Sequence, residues 1–228
     1  LRLNGELIER RGHDEDRLST HMAHPPLTFH MKRFEPGMLE AIGYLGDREA
    51  ARHAVRTPGA PERLELRLDE SGRPFAAGGK DVAFLHAELR DANGTVVPDS
   101  WENVFFGATG EVQLVGANPF SSEAGIASIL VQSEARQPRG AVYALCLARD
   151  GERVNILSAA LGVGGEAEPF EVRATTDGSD PETGAVHRAG PAIGADRVQA
   201  ALFVDGRRVA EADTESPRFR IAGSTAPV

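Results

Sequence analysis

Short runs of β-branched and alternating apolar residues recur along the chain, and turn-forming residues separate them. Alternation with a period of two is the signature of a half-buried strand. The pattern predicts strands over residues 1–3, 27–31, 37–45, 49–56, 63–68, 81–90, 104–106, 111–115, 126–133, 140–147, 154–159, 170–175, 198–204, 207–212 and 218–221. Asn4-Gly5, Asn93-Gly94 and Asp205-Gly206 mark hairpins between them, because such pairs reach positive φ at little cost. Residues 48–53 contain good helix formers. However, Ala51, His53 and Val55 continue the alternation of residues 39–44 across Gly46-Asp47, which predicts a hairpin. Strands at this spacing, with turns between them, predict stacked β-sandwiches and an all-β fold.

Two breaks divide the pattern. Thr57-Pro58-Gly59-Ala60-Pro61 is a stiff, turn-rich connection, and residues 162–169 form a glycine-rich one. They predict segments 1–60, 61–162 and 163–228. The outer two are short for complete sandwiches. The chain also opens inside a strand, at Leu1-Arg2-Leu3, which predicts an N-terminally truncated first sandwich belonging to a longer parent.

Composition changes this picture little. Of 228 residues, 41% are hydrophobic and 26% charged, enough apolar material for packed cores. The net charge of -9 disfavours nucleic acid and anionic membranes, since both are polyanions. No stretch reaches the ~20 apolar residues of a membrane-spanning helix. Cys146 is the single cysteine, so no internal disulfide forms. Its run, Ala141-Val142-Tyr143-Ala144-Leu145-Cys146-Leu147, marks it as a core residue.

Candidate chemistry is sparse. His13, Asp14, Glu15, Asp16, His21, His24 and His30 cluster in sequence. Pro25 and Pro26 prevent a helical ligand pair, so the segment reads as a polar loop without a metal. Asp177-Gly178-Ser179-Asp180-Pro181 has acidic spacing but lacks the later ligands of a calcium loop, and it reads as an Asx-type turn. Gly162-Val163-Gly164-Gly165 lacks the lysine and helix of a phosphate loop. No cofactor is expected. Aromatic residues make up only 6% of the chain, and Trp101 is the sole tryptophan. It lies among polar neighbours in Pro98-Asp99-Ser100-Trp101-Glu102-Asn103. Two roles fit it: a platform for stacking on a sugar ring, or a residue that caps one end of a sandwich core or packs on a neighbouring domain. Tyr44 and Tyr143 sit in apolar alternation and are expected in a core or interface. Phe29, Phe34, Phe84, Phe105, Phe106, Phe170, Phe203 and Phe219 are expected in cores.

Several segments together resemble the domains that follow the catalytic barrel in glycoside hydrolase family 2. Leu3-Asn4-Gly5-Glu6-Leu7-Ile8, His24-Pro25-Pro26-Leu27-Thr28-Phe29, Phe34-Glu35-Pro36-Gly37-Met38-Leu39-Glu40-Ala41-Ile42-Gly43-Tyr44 and Thr57-Pro58-Gly59-Ala60-Pro61 are similar to one immunoglobulin-like domain of that family. Gly78-Gly79-Lys80 through Val97-Pro98, then Gly110-Glu111-Val112-Gln113-Leu114-Val115-Gly116-Ala117-Asn118, resemble the next. The usual glycine-rich ending of that motif is altered here at Ala117-Asn118. Thr175-Thr176-Asp177-Gly178-Ser179-Asp180-Pro181, with Ala189-Gly190-Pro191, resembles a small C-terminal domain of chitobiases and β-hexosaminidases.

The resemblance implies tandem immunoglobulin-like β-sandwich domains without a catalytic barrel. It further implies a non-catalytic accessory region of a secreted or periplasmic β-galactosidase-like enzyme, partnered by the barrel upstream in the same parent. A glycosidase needs two carboxylates about 5–9.5 Å apart across one sugar ring. The resemblance puts that pair on the barrel, which needs about 250 residues of its own. Two other functions fit: a carbohydrate-binding module that holds poly- or oligosaccharide through Trp101, and an adhesin-type stalk.

Overall fold

The computed structural model describes residues 1–72, 75, 81–134, 138–187 and 193–216. The expected strand at 218–221, with Phe219, lies outside the described residues, as do Gly78-Gly79-Lys80 and Ala189-Gly190-Pro191. The chain divides into two units, Leu1–Thr57 and Pro58–Val228.

The first unit is a single antiparallel sheet in the order β2-β1-β3-β4. Its strands are β1 (Arg2–Leu3), β2 (Glu6–Leu7), β3 (Met38–Leu45) and β4 (Arg48–Arg56). Asn4 and Gly5 turn β1 into β2 at φ of 52° and 86°, as their dipeptide signature requires. Residues 27–31 form no strand, contrary to their alternation. They belong to the long connection between β2 and β3, where Asp14 binds them locally. Its carboxylate accepts hydrogen bonds from the amide and hydroxyl of Thr28.

The two faces of this sheet differ sharply. Register places Leu3 beside Leu39 and Leu39 beside Val55. By strand alternation Ala41 and Leu45 share that largely apolar face, with His53 and Arg48 as their cross-strand partners. The opposite face carries an ionic ladder in which Arg52 bridges Glu40 at 2.7 Å and Glu49 at 2.9 Å. Val55 is 52% exposed and Leu45 71% exposed, so the first unit by itself leaves this face without a complete cover. Tyr44, expected in a core or interface, is exposed, with the Arg10 guanidinium 5.3 Å from its ring centre. Phe34, expected in a core, is also exposed, because it precedes β3 in the polar connection rather than standing in a strand.

The second unit stacks three antiparallel sheets. The outer sheet has the order β5-β6-β10-β8, from β5 (Arg63–Asp69), β6 (Val82–Arg90), β10 (Ile126–Ser133) and β8 (Val112–Val115). The middle sheet runs β15-β12-β11-β7-β9, from β15 (Ile193–Gly194), β12 (Arg153–Val163), β11 (Gly140–Asp150), β7 (Asn103–Gly110) and β9 (Phe120–Ser121). The third runs β14-β13-β16-β17, from β14 (Ala185–His187), β13 (Phe170–Thr175), β16 (Gln199–Val204) and β17 (Arg207–Asp213).

Alternation within β11 explains the stack. Val142, Ala144, Cys146 and Ala148 face a core shared with Leu64, Leu85, Leu89, Ile129 and Val131 of the outer sheet. Ala141, Tyr143, Leu145 and Leu147 face a second core with Val172, Leu202, Val204 and Ala210 of the third sheet. All of β11 from Ala141 to Leu147 is therefore apolar, as a strand buried on both faces must be. Cys146 is fully buried, in agreement with its sequence context. Tyr143 is fully buried too, packs edge-on against Phe170 at 5.8 Å, and donates its hydroxyl to the Glu168 carbonyl. Segment 163–228 is expected from sequence as a small β domain, and its described strands form the third sheet of this stack, with β15 added to the middle one.

Strand parity also corrects one expectation from the aromatic residues. In β6, Ala83, Leu85 and Ala87 point inward, so Phe84 points outward and is 52% exposed, stacked on His86 at 6.1 Å. Phe106 and Phe203 are buried as expected. Phe203 lies on the far side of the third sheet, where the guanidiniums of Arg173 and Arg208 cover its ring.

Two features of this unit yield predictions. The middle and third sheets approach closely at Gly107, where an added Cβ would come within 2.1 Å of the Val209 carbonyl oxygen. Gly107→Ala should therefore cost about 1–3 kcal/mol in urea unfolding, because backbone has to move to admit the methyl group. Asp91 is 1% exposed, and its carboxylate accepts amide hydrogen bonds from Gly59, Thr95 and Asn93. These bonds, led by that from Gly59, hold its pKa below the ordinary carboxylate value. A depressed folded pKa gives stability that is full above the unfolded value, about pH 4, and lost as pH falls through the folded one. Asp91→Asn should flatten the acid limb of a stability–pH curve in that window, followed from about pH 5 down to about pH 2.

Candidate functional site

The one predicted site residue, Trp101, lies on the connection into β7. That connection is fixed from behind by Ser122, which is fully buried. Ser122 donates its hydroxyl to the Ser100 carbonyl, and the same oxygen accepts from the Glu102 amide. The Ser122 amide donates to the Glu102 carbonyl at 2.8 Å. With Ser100 and Glu102 both held and buried, the side chain between them is left as the accessible one, and Trp101 is only partly buried.

Trp101 lines an open cleft of about 490 Å³. Pro58, Gly59, Ala60 and Pro61 form one side of it, and Arg149, Asp150 and Gly151, at the end of β11, form another. The residues read in sequence as a linker are here a fixed wall. Asp91 holds the Gly59 amide at 3.0 Å, and the Asn155 side-chain amide donates to the Pro61 carbonyl at 2.9 Å. Glu102 accepts a hydrogen bond from the Arg149 amide, which ties the Trp101 connection to β11. Ser100 also lines the cleft, and its Oγ is buried with no hydrogen-bond partner among the described residues. Sequence reasoning singled out Trp101 but missed Ser100, Arg149 and Asp150. Only the fold brings residues 58–61, 99–102 and 149–151 together.

The other acidic candidates are occupied with structure. Asp16 accepts from the amides of Leu18 and Ser19 and from the Ser19 hydroxyl, which closes the short 3-10 turn Ser19–His21. Asp14 is paired with Arg11 as well as Thr28. Hydrogen bonds, with the side chain of Ser19 or Thr28 foremost, lower the pKa of both carboxyls. Asp177 accepts from the amide and hydroxyl of Ser179, the Asx turn expected from sequence. Asp180 caps the 3-10 turn Pro181–Thr183 through the Glu182 amide and pairs with Arg208. Among the described residues, no three His, Cys, Asp or Glu side chains converge as metal ligands.

No protein-family model matches the chain. It is 33% identical over 121 residues to a β-galactosidase of Thermoanaerobacter pseudethanolicus, which covers 49% of this chain and 16% of that enzyme. It is 32% identical over 94 residues to the β-galactosidase BoGH2A of Bacteroides ovatus, covering 40% of this chain and 11% of that enzyme. A glycosyl hydrolase family 2 member from Bacteroides cellulosilyticus superimposes with a TM-score of 0.47 at 22% identity, over 57% of this chain and 18% of that one. The chain thus spans less than a fifth of the length of the curated relatives it matches. Its homologues are β-galactosidases of glycoside hydrolase family 2, and what it shares with them is a part of their length rather than the whole enzyme.

Proposed function

We propose that this chain is a non-catalytic accessory region of a β-galactosidase-like glycoside hydrolase. In that role its sheets support the catalytic barrel of the same parent, or shape access to it. Two observations support this reading. The relatives are β-galactosidases in which the matched part is a small fraction. The described residues build antiparallel sheets, whereas a catalytic barrel requires alternating parallel strands and helices.

The observation that carries the supporting role is the sheet of the first unit. Leu45 and Val55 stand exposed on its apolar face, opposite the ladder built on Arg52. A sheet with one apolar face requires a covering layer. In this proposal the rest of the parent provides that layer, as the second sheet of a sandwich.

The test compares the isolated chain with the parent enzyme. Leu45→Lys with Val55→Lys should change the unfolding free energy of the isolated chain by no more than about 0.5 kcal/mol, as exposed substitutions do. In the parent the same pair should cost about 2 kcal/mol or more, because two charges would enter an apolar interface. The isolated chain should leave nitrophenyl β-galactoside intact while the parent cleaves it. Equal costs in both settings, or turnover by the isolated chain, would refute the reading.

A further inference from the structure

We infer that the cleft at Trp101 is a binding site for a neutral oligosaccharide. The inference needs only residues of the second unit, so it stands or falls separately from the supporting role proposed for the first.

The first argument is shape and chemistry. A pyranose ring presents an apolar C–H face ringed by hydroxyl groups, so its site needs an aromatic plane with hydrogen-bonding groups at the edge. Here the plane is Trp101. Asp99, Glu102, Arg149 and Asp150 line the same cleft of about 490 Å³, and the Arg149 guanidinium is anchored on the Asp196 carbonyl. That volume lies within the usual range for small-ligand sites, about 300–1,000 Å³.

The second argument is the unpartnered hydroxyl. Ser100 is 7% exposed, and its Oγ has no hydrogen-bond partner among the described residues. A buried hydroxyl without a partner costs free energy, and a native structure rarely keeps one without a reason. Its neighbours leave it no local role, because the Ser122 hydroxyl bonds the Ser100 carbonyl rather than its Oγ. A rotation of the Ser100 side chain about χ1 toward the cleft would let a sugar hydroxyl beside Trp101 supply the missing partner.

The third argument is order. The Trp101 connection is held by Ser122, the Gly59 amide by Asp91 and the Pro61 carbonyl by Asn155. A site fixed in advance loses little entropy on binding. Charge then selects the ligand class. Asp99, Glu102 and Asp150 outnumber Arg149 in the lining, and the chain carries a net charge of -9. Uronates and sulfated sugars would be repelled, which leaves neutral saccharides.

Because Trp101 is the only tryptophan, the emission of the whole chain reports on this one cleft. The experiment titrates the full chain with galactotetraose, cellotetraose and xylotetraose, with tetragalacturonate as the anionic comparison. At least one neutral tetrasaccharide should shift the emission to saturation, and tetragalacturonate should not. Trp101→Ala, followed by calorimetry, should weaken that binding roughly tenfold or more, the loss expected for one aromatic platform. Ser100→Ala should weaken it about fivefold, as for one hydrogen bond, without lowering the thermal midpoint, because the hydroxyl has no partner among the described residues. The Ser100 variant keeps the test decisive if the Trp101 variant does not fold. The inference is overturned if no neutral tetrasaccharide alters the emission, or if Ser100→Ala binds as well as the original chain. It is also overturned if tetragalacturonate binds best.

Discussion

The second unit depends on one strand being buried on both sides. β11 gives alternate residues to two different cores, and each core joins it to a different sheet. Val142, Ala144 and Cys146 close the first, while Tyr143 and Leu145 close the second, all with no exposed surface. The usual sandwich leaves the outer face of each sheet to water. Here the middle sheet has no wet face along β11, and the third sheet exists as a layer because β11 offers it an apolar surface. The closeness of that contact is set at Gly107, where the backbone of β17 sits in the space a side chain would fill.

Polar residues serve as joints between these layers. Asp91 ties the turn at Asn93 and Thr95 to the amide of Gly59. Asn118 presents its side-chain amide to both the amide and the carbonyl of Phe106, doing for β7 what a neighbouring strand would do. Ser122 does the same for the Trp101 connection. Buried groups of this kind need every bond made. The bonds of Asp91, Asn155 and Ser122 meet around the cleft, and the Ser100 hydroxyl beside them, like that of Ser133 elsewhere in the unit, has no partner among the described residues.

Much of the fold was legible because alternation is a local signal. The strands of β3, β4, β6, β10, β11 and β13 fall where the period of two places them. The unbroken apolar run of β11 marked Cys146 as a core residue, and burial of the strand on both faces explains why the run is unbroken. Residues 27–31 alternate equally well yet form no strand, since no neighbouring strand offers them a ladder. Short strands such as β9 and β15 carry no pattern of their own and exist only through partners distant in sequence. Parity, not composition, decided the fate of Phe84: it is one residue out of step with Leu85. Trp101 could be singled out by its rarity and its polar neighbours. The walls of its cleft could not, because residues 58–61 and 149–151 meet it only through the register of the middle sheet and the Asp91 and Asn155 bonds.

The glycine-rich stretch after β12 looks in sequence like a place where evolution could exchange one module for another. The double burial of β11 argues otherwise. A lineage that lost the third sheet would expose Tyr143, Leu145 and Leu147 along a whole strand, turning a stable sandwich into a sticky one. A gene fusion that gained such a sheet would need a β11 already apolar on both sides. The sandwich and its third layer are therefore expected to be inherited together, and a β11 apolar on both faces is the mark of a strand that some third layer covers.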